Sequence, residues 1–270
     1  MATQITHTAI VSNNYTLLAR FYDAVFGMKA CPDDSPESAF SISDGYVGMN
    51  INPRVAGRQA GLDHFGFQVD DVETIYARVR EAYPGIQFLK RPGNRTFAGV
   101  SGHDPAGNVF DLSQHGMANR AGVYLDAGGR AGHNPRHIKH FALRAVQPAV
   151  LARFYRDVFD LREEEKDADD PNHYLTDGTV TMIIIPWQIT DYAGTGIERP
   201  ALDHLGFAVE SLDQFKADIE RLRSTNPALA PMPIRSGAEG AARLKLFMGC
   251  RYGQYQMADP DGVLIDVSEG

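Results

Sequence analysis

The 270-residue sequence predicts an α+β protein built from two tandem copies of one unit. Two observations carry this. First, three blocks recur in the same order. Residues 5–26 (ITHTAIVSNNYTLLARFYDAVF) run parallel to 138–159 (IKHFALRAVQPAVLARFYRDVF), sharing an unbroken Leu-Ala-Arg-Phe-Tyr. GLDHFGFQVDDVETI (61–75) matches ALDHLGFAVESLDQF (201–215), and DPAGNVFDLS (104–113) matches DPDGVLIDVS (259–268). Second, each copy restarts internally: a strand, a helix and strand-like stretches are followed by the same order from 62–69 or 202–209. Each unit therefore reads β-α-β-β-β, giving four modules in two domains, expected at 1–115 and 137–270. The offset between copies grows from 133 to 140 to 155, so the second copy carries insertions between fixed blocks.

The elements follow in order. Alternating strands are expected at 5–11 and 138–144, each feeding an amphipathic helix. Pro148 suits the start of the helix at 148–159, where its missing N–H costs little. Asp70-Asp71 can cap a helix over 72–83, and Ser211 with Gln214 forms a capping-box pattern opening 212–224. Residues 116–136 hold five glycines and little periodicity, as a linker should.

Composition bounds the function. Apolar residues make up 43 %, enough for each half to bury its own core. A net charge of −8 without a long basic run weighs against nucleic acid or an anionic membrane surface as partner. No stretch approaches the ~18 apolar residues of a membrane span, and the N-terminus lacks the pattern of a secretory signal. The two cysteines, Cys31 and Cys250, fall in different halves, which argues against a disulfide framework. A cytoplasmic location is the resulting expectation.

Strand alternation singles out six residues. Phe65, Phe67 and Val69 share one face of their strand, and His64, Gly66 and Gln68 share the other. His204 likewise lies with Gly206, opposite Leu205, Phe207 and Val209. Each histidine leaves the apolar face beside a glycine that opens space. His7 alternates with Thr8 and Ile10, and His140 opposes Phe141 and Leu143. Asp111 and Asp266 stand at matching places in the last strands, where aspartate is disfavoured. If each half curls into an open half-barrel cup, His7, His64 and Asp111 meet in one cavity and His140, His204 and Asp266 in the other. Two imidazoles and one carboxylate with open positions suit Fe(II), and also Mn(II) or Zn(II). The ion would keep one net positive charge and favour a bidentate anionic substrate.

Strand-borne histidines, the Leu-Asp-His-hydrophobe-Gly-Phe block and the Asp-Pro-x-Gly-x-x-x-acid strand resemble the vicinal oxygen chelate superfamily. That superfamily includes glyoxalase I, type I extradiol dioxygenases, epimerases and drug-binding resistance proteins. The resemblance implies paired βαβββ modules around a metal that chelates vicinal oxygens of a small substrate, with the same six residues as ligands. One departure stands out: most members end the ligand set with Glu, and both copies here have Asp.

Four modules with a two-His-one-carboxylate set look most like a type I extradiol dioxygenase. Such enzymes bind a catecholate and O₂ side by side on the metal and use His and Tyr as acid and base. The strand at 179–185 has no His where the resemblance places the base. Tyr255 stands one residue off its expected position, which would turn it to the opposite face. Tyr252 and His173 are the other candidates. The alternative is a glyoxalase-like lyase or isomerase working by metal-assisted enolisation, with Zn(II) or Ni(II) among its metals. Its fourth ligand finds only Asn50 or Asn52 in the first half and Met182 or Ile184 in the second. A third reading is a non-catalytic small-molecule binder, walled by Trp187, Tyr192 and Phe247. The resemblance ranks His140, His204 and Asp266 as the catalytic set, with His204→Ala costing more activity than His64→Ala. The first triad is equally complete, and His103 and His115 lie near its last strand. Edge strands of such cups often pair between subunits, which makes a homodimer one expectation.

Overall fold

The computed structural model describes residues 3–31, 40–91, 98–114, 117, 134–195, 197–234 and 236–270. His115 and most of the linker (116 and 118–133) lie outside the described residues.

The first half runs β1 (Thr3–Ser12), α1 (Tyr15–Phe26), β2 (Lys29–Ala30), β3 (Phe40–Ser43) and β4 (Gly48–Pro53). It continues with β5 (Gly61–Val69), α2 (Val72–Ala82), β6 (Leu89–Lys90), β7 (Val100–His103) and β8 (Val109–Gln114). These strands form one eight-stranded open sheet in the order β2-β3-β4-β1-β5-β8-β7-β6. The second half repeats the plan with β9 (His137–Ala145), α3 (Pro148–Phe159), β10 (Arg162–Glu163), β11 (His173–Thr176) and β12 (Thr181–Pro186). After a short α4 (Ile189–Thr195) come β13 (Leu202–Val209), α5 (Leu212–Thr225), α6 (Ala238–Met248), β14 (Tyr255–Ala258) and β15 (Leu264–Glu269). The second sheet is seven-stranded, ordered β10-β11-β12-β9-β13-β15-β14. The architecture is α+β with two tandem half-barrels.

The helix signals act as their chemistry dictates. Asp71 accepts from the Glu73 and Thr74 amides at 3.1 and 3.2 Å, and Pro148 occupies the first turn of α3. Ser211 accepts from the Gln214 amide at 3.4 Å, but the Gln214 side chain turns to Asp218 instead of back to the cap. Only half of the capping box forms. The insertion expected in the second copy contains α6, which has no counterpart among the described residues of the first half.

Helices of each half pack under the sheet of the other, in one continuous core. Phe26 of α1 stacks on Phe207 of β13 with centroids 3.8 Å apart, and Phe159 of α3 stacks on Phe67 of β5 at 4.4 Å. The polar contacts are reciprocal too. Tyr22 donates to Asp259 at 3.0 Å and Tyr155 to Asp104 at 2.7 Å. The Ile5 amide donates to Asp177 and the Ile138 amide to Asp44, at 2.7 and 2.8 Å. The shared Leu-Ala-Arg-Phe-Tyr thus supplies the tyrosine with which each copy grips the Asp-Pro turn of the other. Among the described residues no helix is long and apolar enough to cross a membrane. Cys31 and Cys250 are both buried and form no disulfide.

Candidate metal centres

Strand register builds each site. β1 pairs with β5 so that His7 faces Gly66, and β5 pairs with β8 so that Gly66 faces Asp111. Cross-strand partners share a sheet face, so all three lie in one row on the concave side, with His64 one pleat along β5. The second half repeats the row as His140, Gly206 and Asp266, with His204 beside it. A register shift between Ile5 and His7 marks a bulge, which lets Ile5 join the core side while His7 turns into the cup. The glycines are required for space. A Cβ at Gly66 would fall 2.0 Å from His7 Cε1, and one at Gly206 would fall 1.9 Å from His140 Cε1. Each ring therefore lies across the strand where a side chain would stand.

The structure brings both sequence-derived triads together. In each, one ligand atom per residue lies within 4.8 Å of the other two. His64 Nε2 is 3.3 Å and His7 Nε2 3.7 Å from Asp111 Oδ2, while His140 Nε2 is 3.7 Å from Asp266 Oδ2. Donors ~2.0–2.2 Å from one ion lie about 3.0–3.5 Å apart, so side-chain shifts on the order of 1 Å or less would bring each set onto a divalent metal. Asp63 Oδ2 lies 2.7 Å from His64 Nδ1 and Asp203 Oδ2 2.7 Å from His204 Nδ1, which aims each Nε2 at the carboxylate opposite. Ser101 donates to Asp111, and Gln256 donates to Asp266 at 3.1 Å. In the second triad His204 Nε2, His140 Nε2 and Asp266 Oδ2 are buried with no hydrogen-bond partner. Such atoms are costly to leave unmet, and a cation meets all three.

Sequence reasoning missed the orienting carboxylates, although Leu-Asp-His stands in both copies. Strict alternation sends Asp63 and Asp203 to the face opposite their histidines. The register is shifted beside them, between Ala9 and Ile10 on β1 and between Leu202 and His204 on β13.

The two sites differ electrostatically. Burial works against the imidazolium of His64, but Asp111 and Asp63 outweigh it and raise its pKa to about 9. Asp111 is correspondingly held below the usual carboxylate range. In the second half, burial pushes His140 well down and lifts Asp266 to about 6. Burial also raises the Cys250 thiol to about 12, so it stays protonated at neutral pH.

They differ most in access. The His64 side chain is 14 % exposed and opens, with Asp111, into a cavity of about 410 Å³. Asn52, Arg58, Gln87, Arg91 and His103 line the same cavity. His103 Nδ1 lies 3.0 Å from the Asp104 carbonyl, which can only accept, so in the neutral ring Nδ1 carries the proton and Nε2 is the acceptor. The second triad is sealed: its side chains are at most 1 % exposed. Insertion residues fill that cup. Phe247 of α6 packs 4.8 Å from the His204 ring, and Tyr252 stacks on His140 at 5.4 Å. The Gly253 backbone rests on Asp266, where a Cβ would fall 2.5 Å from Oδ1. Arg243 of α6 binds Asp203 at 2.7 Å and holds the helix down. The triad that the resemblance ranks as catalytic is thus the closed one, and the accessible one is that of His7, His64 and Asp111.

The acid–base candidates separate. Tyr252 reaches the second cup, where its hydroxyl donates to Glu164 at 2.6 Å. Tyr255 pairs with core residue Val267 and lies against Phe215 and Lys216 on the helix-covered face. Gln256 takes the cup position instead. His173 pairs with Ile184 on the helix side and binds Glu163 at 2.6 Å. The aromatics of the binder reading do not form one wall. Trp187 donates to the Ile197 carbonyl, Tyr192 is 56 % exposed, and Phe247 fills the cup.

Fold and site together define a paired-cup protein with a candidate metal site in each half. A family model described as the Glyoxalase/Bleomycin resistance protein/Dioxygenase superfamily matches residues 4–112 and 137–267, and the chain belongs to that superfamily. Its fold is similar to the crystal structure of a Mn(II)-bound glyoxalase from Novosphingobium aromaticivorans, with a TM-score of 0.65, 16 % identity, and 98 % of this chain and 81 % of that one covered. It is also similar to a 2,3-dioxygenase from Pseudomonas sp. KL28 (TM-score 0.67, 17 % identity, 99 % and 92 % covered). A third likeness is homoprotocatechuate 2,3-dioxygenase from Arthrobacter globiformis (TM-score 0.64, 16 % identity, 99 % and 79 % covered). No curated protein sequence matches the chain.

Proposed function

We propose that this chain is a metal-dependent enzyme that chelates vicinal oxygens of a small substrate at His7, His64 and Asp111, and that the reaction is an extradiol-type cleavage of a catecholic ring. The observation that carries this is the difference in access: His64 and Asp111 of the first triad line an open cavity of about 410 Å³, with His7 buried behind them, whereas Phe247, Tyr252 and Gly253 occupy the space above the second. A bound Fe(II) would supply open positions for two substrate oxygens and O₂ and lower the pKa of the bound hydroxyl. The chain supplies the rest. Asp63 fixes the His64 ring and Ser101 fixes Asp111. His103, through Nε2, takes the proton of the substrate hydroxyl and holds it within the cavity wall. We assign the domains to 1–115 and 137–270, a reading that the two separate sheets support, with the second serving as a latched, metal-holding partner to the first.

A second reading, metal-assisted enolisation by a glyoxalase-like lyase or isomerase, draws on two observations. His103 would serve equally as a base beside a carbonyl. Asn50 pairs with Ala9, on the cup face of β4 where a fourth ligand would stand. Oxygen uptake separates the two: protein loaded anaerobically with Fe(II) is mixed with catechol and its alkyl derivatives in an oxygen electrode. Ring cleavage consumes one O₂ per product and enolisation consumes none, so a flat trace across these catechols would remove the first reading.

A further inference from the structure

The wall of the open cavity carries two arginines in different situations. Arg58 is neutralised, with its guanidinium 2.6 Å from Asp63. Arg91, just past β6, has no ion pair among the described residues, and its Nε is buried without a hydrogen-bond partner. Its guanidinium thus brings to the cavity wall a positive charge with no carboxylate beside it, which a ligand oxygen can pair with. The charges nearby add to the case. Asp63 and Asp111 offset Arg58 and Arg91, so a divalent ion on the triad leaves two positive charges in the cavity.

We propose that the substrate of this site carries a carboxylate besides its vicinal oxygens, and that Arg91 binds it. The proposal rests on the chelation reading above and narrows it to one substrate class. One deprotonated oxygen on the metal and one carboxylate on Arg91 balance the two charges. The planar guanidinium matches a carboxylate in a way an ammonium cannot. Arg91 therefore sets specificity: it selects dianionic chelators over neutral ones of the same size.

The test uses the full chain loaded with Mn(II) under anaerobic conditions, so that nothing turns over. Two probes share the same vicinal hydroxyls and differ in the carboxylate: 3,4-dihydroxybenzoate and 4-methylcatechol. Their affinities are read from water-proton relaxation at the bound Mn(II). The wild-type protein is expected to prefer the carboxylated probe by about tenfold or more. Arg91→Met should collapse that preference and Arg91→Lys should restore part of it, with metal content unchanged in both. Equal affinities in the wild type, or a preference that survives Arg91→Met, would overturn the assignment and leave the chelation reading standing. Binding of neither probe would overturn both.

Discussion

The Phe247 ring lies 4.8 Å from the His204 ring, tilted by 53°, and stands in the second cup where a substrate would have to lie. Arg243, one turn earlier on α6, ties the same helix to Asp203, the carboxylate that orients His204. Phe247 and Arg243 make α6 a plug seated on the second candidate metal site. In the first half the corresponding space is a cavity.

The plug predicts different metal exchange at the two sites. A metal held by His140, His204 and Asp266 in His64→Ala protein should leave to excess chelator at least about tenfold more slowly than one held by the first triad in His204→Ala protein. An opening that costs about 1.4 kcal/mol already lowers the accessible fraction tenfold. Stopped-flow release of Co(II) or Zn(II) measures both rates. Equal rates would mean that α6 does not gate the site.

Gly66 and Gly206 are predicted to be irreplaceable by alanine. The new methyl would lie 2.0 or 1.9 Å from the imidazole of His7 or His140, closer than any real contact. Each variant should therefore lose metal at one site only, by about tenfold or more in affinity. Metal counting on the single and double variants checks this, and full occupancy of both sites in Gly66→Ala would refute it.

Asp63→Asn should weaken metal binding at the first triad by roughly 10–100-fold, because the amide no longer fixes the ring of His64 as the carboxylate does. Asp203→Asn should do the same at the second. Asp203 also binds Arg144 and Arg243, so only this variant is expected to loosen α6, seen as faster amide exchange along 238–248.

The interface between halves predicts a pH dependence of stability. Burial raises Asp259 to about 7, outweighing its hydrogen bonds from the Val263 amide, the Tyr22 hydroxyl and the Asp261 amide. The folded pKa stands above the ordinary value of about 3.9, so this group's contribution is complete below pH ~4 and is lost as pH rises through about 7. Asp259→Asn should therefore gain Tm relative to wild type between pH 5 and 8. Parallel melting curves across that range would contradict it. Tyr22→Phe, which removes the donor, should cost about 1–2 kcal/mol by chemical unfolding.

The fold and the grouping of the candidate ligands were legible in the sequence for a physical reason: the duplication printed each row of the sheet twice. A lone histidine on a strand means little, but His-Gly-Asp in register in both copies left few alternatives. Period-two alternation also foresaw that Tyr255, one residue off, would face away. What stayed hidden depends on where chain segments go in three dimensions. Asp63 and Asp203 reach their histidines where the register shifts beside them, which the period does not reveal. The growing offset showed that the second half holds an insertion, but not that its helix would lie in the cup instead of over it. Without that, the resemblance favoured the second triad, which burial closes to a substrate. His173 failed for a simpler cause: it faces the helix side, with Glu163.

The most direct test of the central claim compares His64→Ala with His204→Ala for anaerobically Fe(II)-loaded protein, measured by oxygen uptake on a catechol panel that includes 3,4-dihydroxybenzoate. The open-site account predicts that His64→Ala abolishes uptake and that His204→Ala keeps most of it. Uptake that survives His64→Ala and vanishes in His204→Ala would place the chemistry under α6 and contradict the account.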